Sequence, residues 1–70
     1  MGVKSIAIDA TKIKIEMARK QLTRKAVCQK TGISESYFSA IVRKGKAMPK
    51  TAGVIADALG VDVTEILQPE

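Results

Sequence analysis

Apolar side chains recur along this chain at helical spacing, in short segments set off by capping residues and glycines. Over residues 10–20, Ile13 and Met17 stand one turn apart with Ala10 before them, while Lys12, Lys14, Arg19 and Lys20 fall mostly outside. Asp9 stands where its carboxylate can accept from the free N–H groups of the first turn. Ile15 lies off this face, so it either packs against residues 3–8 or stays half exposed. A second helix is expected over 24–30, capped by Thr23, with Val27 and Cys28 inward. Gly32 ends it in the left-handed conformation at no steric cost, and Ser34 caps a third helix over 35–44. That helix carries Phe38, Ile41 and Val42 on one face. Its other face presents Ser36, Ser39, Ala40 and Arg43, flanked by Glu35 and Tyr37.

Gly45 closes the third helix, and a loop of Lys46, Ala47 and Met48 leads to Pro49, well suited to the first position of a fourth helix. That helix runs to Leu59 and is expected to bury Val54, Ile55, Ala58 and Leu59. Gly53 within it costs about 1 kcal/mol relative to Ala unless another backbone approaches closely there. Beyond Gly60, Asp62 and Glu65 stand at capping-box spacing before a last short helix, where Val63, Ile66 and Leu67 return to the core and Pro69 ends the element. Residues 1–8 read either as a mobile arm or as a short strand over 3–8, which could pair with its own copy in a dimer. The division expected is therefore an arm or strand at 1–8 and one domain at 9–68. Its centre is two helices joined by a sharp turn across residues 22–45, the layout of a helix-turn-helix.

Charge sharpens this picture. All twelve Lys and Arg lie in residues 1–50 against three acids, a balance of +9, while 51–70 hold four acids and no base. So lopsided a distribution suits an anionic partner. The second helix opens on Arg24-Lys25, although the positive end of a helix dipole prefers acids, at a cost of a few tenths up to about 1 kcal/mol. A phosphate there would reverse the sign, because Thr23, the free N–H groups and Arg24 would all face an anion. The outer face of the third helix bears short polar side chains that can enter a groove. Solvated helix faces more often carry long Glu and Lys pairs one turn apart.

Composition adds limits. With 70 residues, 46% of them apolar and 27% charged, the chain suits one folded domain with an aliphatic core, since Tyr37 and Phe38 are its only aromatics. A chain this short buries only roughly 60% of its unfolded surface, so its margin of stability is thin. A lone cysteine excludes an internal disulfide, and the absence of His argues against a metal site or a metalloenzyme. Neither catalysis nor a cofactor is expected. Cys28 reads as a small core residue, and Asp57, Asp62 and Glu65 as surface and capping acids. No apolar run suits a membrane span or a signal peptide, which suggests a cytoplasmic protein found with the nucleoid.

The stretch L-T-R-K-A-V-C-Q-K-T-G-I-S-E-S-Y-F-S-A-I at 22–41, the G-K-x-x-P loop at 45–49 and I-A-D-A-L-G-V-D-V-T-E-I-L at 55–67 resemble the Cro and lambda-repressor-like (XRE-type) helix-turn-helix family. The likeness covers residues 9–67. It implies an all-α, compact bundle of five helices that binds a double-stranded DNA operator, often as a homodimer. By position it implies base reading by Glu35, Ser36, Ser39 and Ala40, and phosphate contacts from Arg24, Ser34, Arg43, Lys44 and Lys46. Thr23 and Lys25 join the phosphate group by their place at the second helix. Tyr37 either touches phosphate or base or packs over the turn. Glu35 either accepts from cytosine N4 or serves as a helix N-terminal charge.

This chain departs from the family in three places. Arg24 stands where relatives commonly have Gln, and Met17 and Val42 stand where many pair a buried Arg with Glu. One extra residue separates Ile41 from Pro49. The function implied is a small transcriptional regulator of bacterial or phage type, most simply a repressor. An antitoxin or a protein-interaction module, with the acidic end docking a second protein, is the alternative.

Overall fold

The computed structural model describes residues 5–68 and contains four α-helices, a two-stranded antiparallel sheet and a terminal 3-10 turn. In chain order these are β1 (Ile6–Ala7), α1 (Ala10–Arg19), α2 (Arg24–Thr31), α3 (Glu35–Lys44), β2 (Lys46–Ala47), α4 (Pro49–Leu59) and the 3-10 turn Val63–Ile66. The expected caps are in place. Asp9 accepts from the N–H groups of Thr11 and Lys12, Thr23 from Ala26, and Ser34 from Tyr37. Gly32, Gly45 and Gly60 are left-handed at the ends of α2, α3 and α4, as the sharp stops require.

The first helix ends without glycine. Gln21 takes φ 54° there, and the N–H groups of Gln21 and Leu22 return to the carbonyls of Ala18 and Met17 at 3.2 and 2.8 Å. This is the Schellman pattern, and it turns Leu22 back against the core at the entry to α2.

The core is aliphatic apart from Phe38, and joins Ile8, Ile13, Val27, Cys28, Ile41, Ala47, Ala52, Ile55, Ala56, Leu59 and Ile66. Met17 and Val42 pack against it half-buried, so those positions carry apolar contact rather than an ion pair. Ile15 is 45% exposed, which settles its alternative in favour of solvent.

Three expectations need correction. The fifth helix is a single 3-10 turn. Asp62 accepts from Thr64 rather than closing a reciprocal box with Glu65, and Leu67 is already extended to form a bridge with Ile8. The strand at the start of the chain is two residues long in the described part, while Val3, Lys4 and Pro69 lie outside it. This strand pairs within the chain, Ile6 opposite Ala47 and Ala7 opposite Lys46, so the expected loop after α3 is β2.

Helix α4 buries Ala52, Ile55, Ala56 and Leu59. Val54 is 37% exposed and Ala58 half-buried. The four buried residues stand at i, i+3, i+4 and i+7, a single helical stripe that leaves Val54 outside. Beyond these corrections, α1 buries Glu16 as well as Ile13. Its carboxylate accepts from Arg19 and Lys20, both at 3.2 Å, so no buried charge is left alone.

Gly53 meets nothing within 4 Å of the position a Cβ would take. No close approach offsets its helix-interior cost. Gly53→Ala is therefore expected to raise stability by roughly 0.5–1 kcal/mol in a urea titration. Destabilisation would show that a backbone contact had been missed.

Candidate nucleic-acid interface

The turn between α2 and α3 is held by side chains placed by local sequence. Thr31 Oγ1 donates to the Val27 carbonyl at 2.9 Å and accepts from the Ile33 N–H at 3.2 Å, tying the end of α2 to the turn. Sequence reasoning did not single out Thr31. The signal was a Thr one residue before the capping glycine, where a hydroxyl can bond back to the i−4 carbonyl.

On α3, Phe38 and Ile41 are buried and draw the opposite face outward. Glu35, Ser36, Tyr37, Arg43 and Lys44 are exposed, while Ser39 and Ala40 are half-buried. The outward strip of α3 therefore has protruding ends and a shallow middle. Tyr37 is 44% exposed and lines a cavity of about 300 Å³ with Ala40, Lys44, Lys46 and Met48. It flanks the outer strip of α3, and these cavity neighbours belong to α3 and the segment after it rather than to the turn between α2 and α3.

At the start of α2, Thr23, Arg24 and Lys25 are exposed. Thr23 Oγ1 accepts from the Ala26 N–H at 3.1 Å, and Ser34 Oγ accepts from the Tyr37 N–H at 3.1 Å. Each hydroxyl keeps its own proton to donate. Arg24 behaves differently from its neighbour. Its Nη1 donates to Ser39 Oγ at 2.9 Å, a contact between residues fifteen apart that no local pattern announces.

The cations here are electrostatically uncommitted. Among the described residues the ion pairs are those of Glu16 with Arg19 and Lys20, and Lys12 donates to the Leu67 carbonyl. Arg24, Lys25, Arg43, Lys44 and Lys46 enter none, so their charge faces whatever approaches. Pairing of β1 with Lys46–Ala47, together with the bond from Ile8 N–H to the Gly45 carbonyl at 2.9 Å, fixes the segment that carries Lys46.

Cys28 lies in the core beside a groove between α2 and the start of α3 that Lys25 and Glu35 also line. Burial pushes its thiol above the ordinary value, Glu35 pushes it further, and Arg24 partly opposes both. Stability from this group is complete below the ordinary thiol pKa and is lost as pH rises through the higher folded value, because the folded state then holds the extra proton. A neutral thiol is a poor nucleophile, in keeping with a packing role.

Among the described residues no helix is long and apolar enough to cross a membrane. Neither a curated protein nor a solved structure matches the chain. A family model described as the Cro/C1-type HTH DNA-binding domain matches residues 12–70, which takes in the capped turn, the outward strip of α3 and the cations around it. With that match over most of its length, the chain belongs to the Cro/C1-type helix-turn-helix DNA-binding family.

Proposed function

We propose that the protein is a sequence-specific regulator of transcription that occupies a double-stranded DNA operator, most simply as a repressor. The observation that carries this reading is the set of unpaired cations at the start of α2 and the end of α3, on either side of the short-side-chain strip of α3. With α3 in the major groove, Glu35 can accept from cytosine N4, Ser36 and Ser39 can donate or accept, and Ala40 can meet a thymine methyl. Tyr37, at the edge of the strip, contacts base or backbone. Thr23, Lys25, Ser34, Arg43, Lys44 and Lys46 fix the register through phosphates and supply the salt-sensitive part of affinity. Lys50, exposed in the first turn of α4, extends that row. Binding as a homodimer would place two half-sites about 34 Å apart, one turn of DNA.

Gel-shift titrations against random and selected duplexes at several salt concentrations test the proposal. Affinity should fall steeply and linearly on a logarithmic salt scale. Arg43→Ala should weaken binding to every sequence and lower the salt slope by about one, while Ser36→Ala should change preference at one or two base pairs. Weak, salt-insensitive affinity would overturn the DNA reading in favour of a protein partner such as a toxin. Identical behaviour of the two variants would show that base and phosphate contacts have been wrongly sorted.

A further inference from the structure

Arg24 lies in the first turn of a helix, where a cation would ordinarily extend into solvent or towards a phosphate. Its guanidinium instead crosses to α3 and donates Nη1 to Ser39 Oγ at 2.9 Å. Ser39 stands in the half-buried middle of the outward strip, between exposed Ser36 and exposed Arg43. The contact therefore lays a cation along the reading face and leaves phosphate binding at this helix end to other groups. Thr23 keeps its hydroxyl proton and Lys25 its ammonium. The first intrahelical bond runs from Val27 N–H to the Thr23 carbonyl, so the N–H groups of Arg24 and Lys25 precede it.

We propose that Arg24 is a base-reading side chain, positioned by Ser39 to recognise guanine in the major groove. This rests on the DNA-binding reading above. A guanidinium has five N–H donors in a rigid fork, and the bond to Ser39 uses one of them. The rest can form the parallel pair that guanine O6 and N7 accept. Adenine sets a donor beside its N7, thymine offers one acceptor next to a methyl group, and cytosine offers a donor, so guanine alone matches two parallel donors. Holding the fork in place before DNA arrives reduces the ordering cost of the contact.

Ser39 acts as a positioning residue. Its oxygen accepts from Arg24, and its own proton remains for a second acceptor.

The test is selection of binding sites from a random duplex pool by the full chain, followed by salt titrations on the selected and on random sequences. The wild-type chain should select guanine at one position of each half-site. Arg24→Gln should shift that position towards adenine, since a carboxamide pairs with adenine N6 and N7. Arg24→Lys keeps the charge, so it should hold the salt slope while losing roughly five- to a hundred-fold of the guanine preference. Ser39→Ala, which removes the acceptor that holds the guanidinium, should weaken the same preference several-fold while the salt slope stays that of the wild type, because no charge is lost. A selective wild-type chain whose preferences survive in Arg24→Ala, with affinity lowered equally for all sequences and a salt slope reduced by about one, would make Arg24 a phosphate contact and overturn this proposal alone. A wild-type chain with no salt-dependent binding would overturn the DNA reading and this proposal with it.

Discussion

Phe38→Ala is expected to remove about 3–5 kcal/mol of stability and to lower the melting temperature by about 15 °C or more. Phe38 is the chain's only phenylalanine and heads its fully buried side chains by volume. It projects from the inner face of α3 into an otherwise aliphatic core, so neighbouring side chains cannot refill the space by a small rotamer change. A domain of this length holds roughly 4–10 kcal/mol in all, and the substitution would use up about half of that or more. Urea and thermal melts followed by circular dichroism measure the loss directly. Binding should fail at temperatures where the wild type still binds, yet recover at saturating DNA. A duplex at a hundred times its dissociation constant returns about 2.7 kcal/mol to the folded state. A variant that melts within about 4 °C of the wild type would show that α3 is not anchored through this ring. A variant that stays folded but cannot be rescued by DNA would place Phe38 in the binding surface rather than beneath it.

Where the helices begin and end was readable in the sequence because capping is local. Asp9, Thr23 and Ser34 each serve an N–H two or three residues away, and Gly32, Gly45 and Gly60 need only their own backbone freedom. The third helix was bounded correctly at both ends, and the first two differ by one residue each at their ends. What could not be read depended on partners distant in the chain. Val54 outranks Ala52 in hydrophobicity, but the stripe of α4 that packs runs through Ala52, Ile55, Ala56 and Leu59 and leaves Val54 outside. The burial of Glu16 was not foreseen, since only the tertiary fold covers it. A strand over 3–8 was one of two readings of the chain's start, but nothing in Lys46-Ala47 announces its partner, since two-residue ladders form only where the fold already holds both segments together.

The candidate site divides in the same way. The outward strip of α3 followed from the spacing of Phe38 and Ile41, and the surrounding cations from a simple count of charge along the chain. The shallow middle at Ser39 and Ala40 did not follow, because it depends on what packs beside them. Nor did the turn of Arg24 towards Ser39, which is a matter of the angle between α2 and α3. Sequence reasoning assigned both residues to the DNA surface but had no means of joining them.

Ile8→Ala is expected to cost about 2–5 kcal/mol and, in addition, to weaken DNA binding of the molecules that remain folded. The stability loss follows from a fully buried isoleucine. The second effect follows from where its backbone is tied. Ile8 N–H donates to the Gly45 carbonyl at 2.9 Å, directly after α3, and Ile8 forms a bridge with Leu67. On either side, Asp9 N–H reaches the Ile66 carbonyl and Gln68 N–H the Ala7 carbonyl. One short segment therefore fastens both the end of α3 and the terminal turn. Lys46 sits opposite Ala7 in that ladder, so loosening Ile8 frees the segment proposed to contact phosphate rather than the strip of α3 proposed to read bases. Affinity per folded molecule should drop several-fold, equally for selected and random duplexes, with base preference unchanged. Amide exchange at Ile8, whose N–H closes on Gly45, should speed up more than exchange in α2. Normal affinity in the folded fraction would confine Ile8 to the core. A changed base preference would mean that the strand pair governs how α3 is presented and not merely the loop that follows it.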